Sequence, residues 1–403
     1  MCGRRMTARR VSAAVALGGS AIRRTAVLAL VAGTVFGASV APGVALAAPF
    51  VPRDDAVVLA EVTPGTRHSE VATREMAARR LDVALPLAQL YIKQARSSGD
   101  LRFFGYAEAV LGPWVGADTT SADALVLHAT VLQSRHDFSG ALKVLERART
   151  MRPNDAQAWL TSATVLRVLG EYRPAMAACE PIAEPVVVAL CRQGVLGLSG
   201  ELSSAYAAIQ EIDSQGMPPE ERAWRDSELG EMAVRLGRDV EAEHWFRNGL
   251  RASPGDFYIR AAYADLLLRN GRAREALTLL RGQESLEPLL LRIAIAQKVL
   301  GDSELEQSSA RLAAAFAAEA QRGDGVHRRE EARFLLDVRG DPRAALAAAV
   351  ENWKVQREAE DVLVLIRAAN AAGVPAAAQP AMAFVREHRL QDARIAAAMG
   401  DHT

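Results

Sequence analysis

The chain is poor in the residues that build broad cores and reactive centres. Aromatic side chains make up 5% of its 403 residues while half are hydrophobic, with alanine prominent among them. That balance suits thin helices packed at close range more than a single wide core. The seven histidines (His68, His128, His136, His244, His327, His388 and His402) stand singly, none in an H-E-x-x-H or comparable metal spacing. No G-x-S-x-G elbow, phosphate-binding glycine loop or dinucleotide fingerprint occurs. Acidic pairs such as Glu220-Glu221 and Glu330-Glu331 read as solvated helix faces. No residue is therefore assigned as catalytic, metal-ligating or cofactor-binding, and nothing calls for a cofactor. The chain has no net charge either, but its first 47 residues hold six arginines and no acid, so the remainder carries −6. A mildly acidic body has no general pull toward nucleic acid or an anionic membrane.

The basic start (Arg4, Arg5, Arg9, Arg10, Arg23, Arg24) runs into an apolar stretch from Ala26 to Phe50 that is interrupted at Pro42 and contains Ala45-Leu46-Ala47. A charged start, an apolar middle and small residues at the end read as a signal peptide over 1–47, cleaved after Ala47. An uncleaved anchor is the competing reading, since the stretch is long enough to span a bilayer. Arg23-Arg24 could feed a twin-arginine route, although Thr25-Ala26 is a poor match to the hydrophobic pair expected next. Export would place the protein in the periplasm or outside the cell, with no membrane insertion once the leader is removed. Residues 48–68, bracketed by Pro52 and Pro64, read as an extended arm.

Beyond the arm, one pattern of small and apolar residues recurs. Its clearest copies are His136–Pro153 and Gly170–Ile182, offset by 34 residues. Candidate turn residues follow at Gly99, His136, Gly170, Gly200, Gly237, Gly271, Gly301, Gly340 and Gly373, and alanine stands five residues later in seven of these nine frames. Glycine there can take the left-handed cap conformation. A methyl group five residues on lets the second helix of each pair cross the first closely, and Leu145, Ile209, Phe246 and Leu280 at the ninth position fill the groove between them. The spacing series 37, 34, 30 occurs twice and aligns Asp155 with Asp256, each a candidate N-cap after a proline. Asp82 is a further candidate cap, opening a helix to Ser98, and Pro113 closes the next one. Arg322-Gly323-Asp324-Gly325 is the best candidate for a joint between repeats over 69–322 and degenerate repeats over 323–403, the latter closed by a capping element with Leu390, Ile395 and Met399 on one face.

These frames resemble the tetratricopeptide repeat. Trp159 stands at the aromatic position of the Gly170 frame, Leu229-Gly230 at the Leu-Gly pair of the next but one, Phe138 and Tyr172 just after their turns, and Phe246 and Pro254 complete the Gly237 frame. The resemblance covers about Leu85 to Leu390 and weakens after Gly301, where Glu306 replaces the small residue. It implies an all-α fold: an α-solenoid of antiparallel helix pairs forming a right-handed superhelix. It also implies that the first helix of each pair lines a concave groove for an extended peptide or partner helix. Carried over, the groove positions are Gln157, Thr164 and Arg167; Trp224, Glu231 and Arg235; and Tyr258, Asp265 and Arg269. The basic clamp that some relatives use for acidic tails is missing, because Val126, Thr130 and Gly194 stand where it would be. Cys179 and Cys191 fall at similar depth on consecutive predicted helices, leaving a disulfide and two buried thiols both open.

The function these features suggest is a non-catalytic protein–protein interaction scaffold of the bacterial cell envelope, whose partner is an envelope protein or peptide. Two other readings remain: an envelope enzyme or small-ligand receptor on a helical-repeat framework, and a self-associating structural element.

Overall fold

A computed structural model describes residues 73–400 except 99, 101, 117, 119 and 323–327. The signal peptide, the arm at 48–68 and the Gly323–Gly325 joint lie outside the described residues. The described residues are 78% helical, with no strand among them. The helices are α1 (Leu81–Ser98), α2 (Arg102–Leu111), α3 (Ala122–Ser134), α4 (Phe138–Met151), α5 (Ala156–Val168), α6 (Tyr172–Cys179), α7 (Pro185–Leu196), α8 (Leu202–Gln210), α9 (Pro219–Arg235) and α10 (Asp239–Ala252). They continue as α11 (Phe257–Arg269), α12 (Ala273–Leu280), α13 (Glu287–Leu300), α14 (Leu305–Arg322), α15 (Arg328–Arg333), α16 (Pro342–Trp353), α17 (Ala359–Ala371), α18 (Gln379–His388) and α19 (Ala393–Gly400). From α3 onward they pack as antiparallel pairs, which is a tetratricopeptide-like α-solenoid.

The turns inside the pairs explain why the pattern repeats. His136 (φ 59°) and the glycines at 170, 200, 237, 271, 301, 340 and 373 all have positive φ. At each of the first six, the N–H of the following residue reaches back to the carbonyl five positions earlier, as from Asp137 to Leu132 (2.9 Å), Glu171 to Leu166 (2.9 Å) and Arg238 to Ala233 (2.8 Å). This bond belongs to a left-handed helix cap and satisfies a carbonyl that the helix end would otherwise orphan. Ala141, Ala175, Ala205, Ala242, Ala276, Ala345 and Ala378 are buried, as are Leu145, Ile209, Phe246 and Leu280 in the grooves they leave. Asp155 and Asp256 cap α5 and α11 by accepting N–H bonds from Ala158 (2.9 Å) and Ile259 (3.0 Å).

Four details differ from expectation. Asp82 lies in the first turn of α1 and pairs with Arg80 instead of capping. In the Gly301 frame α14 starts late, at Leu305, so Glu306 faces solvent and Leu312 and Phe316 do the packing. A π-turn over Phe334–Arg339 adds a residue before Gly340, and the returning bond there spans six positions, from Asp341 to Leu335. The capping element is two helices, because Arg389 takes a left-handed conformation (φ 52°) and breaks the chain between α18 and α19.

The largest departure is long-range. In an open solenoid each repeat touches only its neighbours, yet here the C-terminal helices return to the middle of the chain. Ala163, Tyr172, Cys179 and Cys191 share one hydrophobic core with Ala345, Leu365, Ala381 and Phe384. The Arg357 N–H donates to the Val168 carbonyl (2.8 Å), and the Leu202 N–H donates to Gln391 Oε1 (3.1 Å). The Phe384 ring meets Tyr172 edge-on at 5.9 Å and sits so close to Gly170 that a Cβ there would lie 2.6 Å from it. Alanine-rich α16 and α17 and the bare Gly170 turn make this approach possible. Cys179 and Cys191 form a disulfide between α6 and α7, with Cα atoms 5.8 Å apart.

Candidate functional site

The inward helices α5, α9, α11, α15 and α17 bring ionisable side chains together along the interior. Arg167 of α5 makes a two-pronged contact with Glu228 of α9 (2.8 and 3.2 Å). The Trp224 indole N–H points to the same carboxylate at 3.3 Å. Gly194 of α7 lies against this group, and a Cβ there would stand 2.7 Å from the Arg167 guanidinium. Burial opposes ionisation of Glu228, but Arg167 holds its carboxyl below the ordinary range.

One turn further along α9 the balance reverses. Burial, followed by the adjacent negative charge of Glu228, pushes the Glu231 carboxyl up to about 7, against the opposing influence of a hydrogen bond from Tyr258 and the charge of Arg235. Tyr258 itself keeps 53% of its surface accessible. Burial and the acids Glu231, Glu358 and Glu228 nevertheless hold its phenol well above its usual pKa. Tyr258 is therefore open to solvent and at the same time acted on by three acids.

The nine residues assigned to the groove from sequence separate into three groups. Arg167, Trp224, Glu231 and Tyr258 converge around Glu228. Gln157 and Thr164 lie on α5, bonded locally to Thr161 Oγ1 (3.1 Å) and the Leu160 carbonyl (3.0 Å). The other three are engaged in contacts of their own. Arg235 is 6% exposed and donates to the Gly197 carbonyl (2.6 Å), turned toward the returning C-terminal helices. Asp265 accepts from Arg292 and Arg333, each at 2.7 Å, and although burial opposes its ionisation those two guanidinium groups hold its carboxyl well below the usual range. Arg269 is paired with Asp239 (2.5 Å).

Several interior groups had no place in the sequence reading. Glu228 and Arg292 each lie nine residues before a turn glycine, and that shared offset was the available signal. Arg329, bonded to Glu358 (2.7 Å) and 3.4 Å from Asp361, and Arg394, bonded to Asp392 (2.6 Å) and to Glu360, gave no comparable signal. Among the described residues no three or more His, Cys, Asp or Glu side chains are grouped to hold a metal ion, and no helix is long and apolar enough to cross a membrane.

No protein-family model matches the chain, and no characterised protein matches it by sequence. Solved structures do resemble it. The Cut9–Hcn1 hetero-tetramer of the APC/C aligns over 79% of this chain and 62% of that one, with 14% identity and a TM-score of 0.49. This chain thus spans less than two thirds of that relative's length. PilF of Pseudomonas aeruginosa aligns over 60% and 94%, with 16% identity and a TM-score of 0.30. A tetratricopeptide repeat protein from Parabacteroides merdae aligns over 74% and 99%, with 11% identity and a TM-score of 0.35. The repeat assignment made above rests on the chain's own helix pairs and turn geometry.

Proposed function

We propose that the protein is a non-catalytic interaction scaffold of the bacterial cell envelope, holding an extended peptide or helix of another envelope protein along the recess from Gln157 to Tyr258. The observation that carries this reading is Tyr258, an aromatic side chain 53% accessible in surroundings that strongly disfavour its ionisation. Half-exposed aromatics in concave surroundings give large contact area at low entropic cost and are typical anchors for a partner. Trp224, half-buried on α9 beside Glu228, extends the same floor. Export follows from the basic leader and its Ala45-Leu46-Ala47 end, so the mature chain begins at Ala48.

Charge reversal at Arg167 or Arg235 would disturb internal bonds before it reported on a partner. A photo-crosslinking residue is better placed at Tyr258 in the native host, with the same residue at Val240, 86% exposed on α10, as the control. The expected result is a discrete adduct with one envelope protein from position 258 and none from 240. Equal adducts from both positions, or none from 258, would remove the site assignment.

A further inference from the structure

Where the C-terminal helices fold back they border an open cleft of about 820 Å³. Its walls are helical and mostly hydrocarbon: Leu202, Leu236, Met382, Val385, Ile395 and Met399. Its polar groups are few. Arg235 lines it while only 6% exposed, and the one hydrogen bond its guanidinium makes is to the Gly197 carbonyl. No carboxylate is paired with Arg235 among the described residues. Asp392, which also lines the cleft, and Glu231 and Glu228 act on it by their charges without a direct contact, and the Asp392 side chain is itself buried in a pair with Arg394 (2.6 Å). A buried guanidinium without a close anion is costly.

Two further donors lie on the same cleft. Gln391 spends its carbonyl on the Leu202 N–H, which leaves its amide N–H groups, and Ser203 offers a hydroxyl. Cation and donors on an otherwise hydrocarbon surface match a carboxylate attached to an apolar chain. We propose that this cleft binds a single-chain fatty carboxylate, its headgroup on Arg235 and its chain along Met382, Val385, Ile395 and Met399. The site is separate from the recess at Tyr258, and neither reading depends on the other.

The full chain is titrated with a dansyl-labelled undecanoic acid, which is then displaced by palmitate or by hexadecanol. Palmitate is expected to compete at least about tenfold better than the alcohol, as a charge-assisted pair implies. Arg235→Gln should erase that preference while leaving hexadecanol unchanged. Ala396→Trp, at an exposed position on the cleft wall, should block both competitors without burdening the core. If Arg235→Gln does not fold, the acid-to-alcohol ratio together with Ala396→Trp decides. Absence of probe binding, equal competition by acid and alcohol, or palmitate binding unaffected by Ala396→Trp would each overturn the proposal.

Discussion

Gly170 and Gly271 offer a matched pair for testing whether the returning C-terminal helices are held where the contacts indicate. Both are turn glycines of equal kind, with φ of 77° and 71°, and both end an inward helix. They differ in what a methyl group would meet. At Gly271 there is nothing within 4 Å, whereas at Gly170 a Cβ would lie 2.6 Å from one Phe384 ring carbon, 2.8 Å from another and 3.2 Å from the Arg357 Cβ. Gly271→Ala therefore carries only the left-handed backbone cost, about 1 kcal/mol after the stiffer unfolded chain is credited. Gly170→Ala carries the same cost plus displacement of a buried ring, about 1–3 kcal/mol more by the usual penalty for overpacking. Urea unfolding followed by both far-ultraviolet circular dichroism and tryptophan fluorescence would read the difference. Adding Phe384→Ala closes a double-mutant cycle, in which the combined loss should fall below the sum of the single losses because the clash partner has gone. Equal losses for the two alanine variants, or strict additivity with Phe384→Ala, would refute the fold-back contact.

Two further expectations concern the interior. The Glu231 carboxyl, raised to about 7 from an ordinary 4.5, favours the folded state when protonated, so this group's contribution is complete below about pH 4.5 and is lost as pH rises through 7. Glu231→Gln should therefore gain stability relative to the wild type between those limits, by at most about 3 kcal/mol, and parallel stability–pH curves for the two proteins would contradict the assignment. The Cys179–Cys191 bond closes a short loop, with a sequence separation of 12. Labelling of the unfolded, unreduced mature protein should find no free thiol, and reduction should cost about 3 kcal/mol; two labelled cysteines would exclude the bond.

What could be read from the sequence was whatever a few neighbouring residues decide. Positive φ at His136 and at the turn glycines, the buried alanine five positions on and the caps at Asp155 and Asp256 are each closed by bonds within about six residues, so spacing alone reveals them. Trp224, Glu231 and Tyr258 were legible for the same reason, because frame offsets say which helix face turns inward. The fold-back was not. Phe384 meets Gly170 only after small rotations from every intervening repeat have accumulated, and no local pattern encodes their total.

The partners of the charges were hidden in the same way. Arg235 and Asp265 sit at inward positions, and frame offsets do not say which other groups they meet there. Yet Asp265 is satisfied by Arg292 and Arg333, 27 and 68 residues away, and Arg235 is covered by a segment more than 150 residues downstream. A groove whose charges are already committed has little left with which to hold a partner by ion pairing. The accessible aromatic and polar positions, Tyr258 above all, must then supply most of the affinity, and binding there should depend weakly on ionic strength because few exposed charges are involved. A yield of crosslinked adduct from position 258 that fell steeply when salt was added before irradiation would return the weight to the arginines.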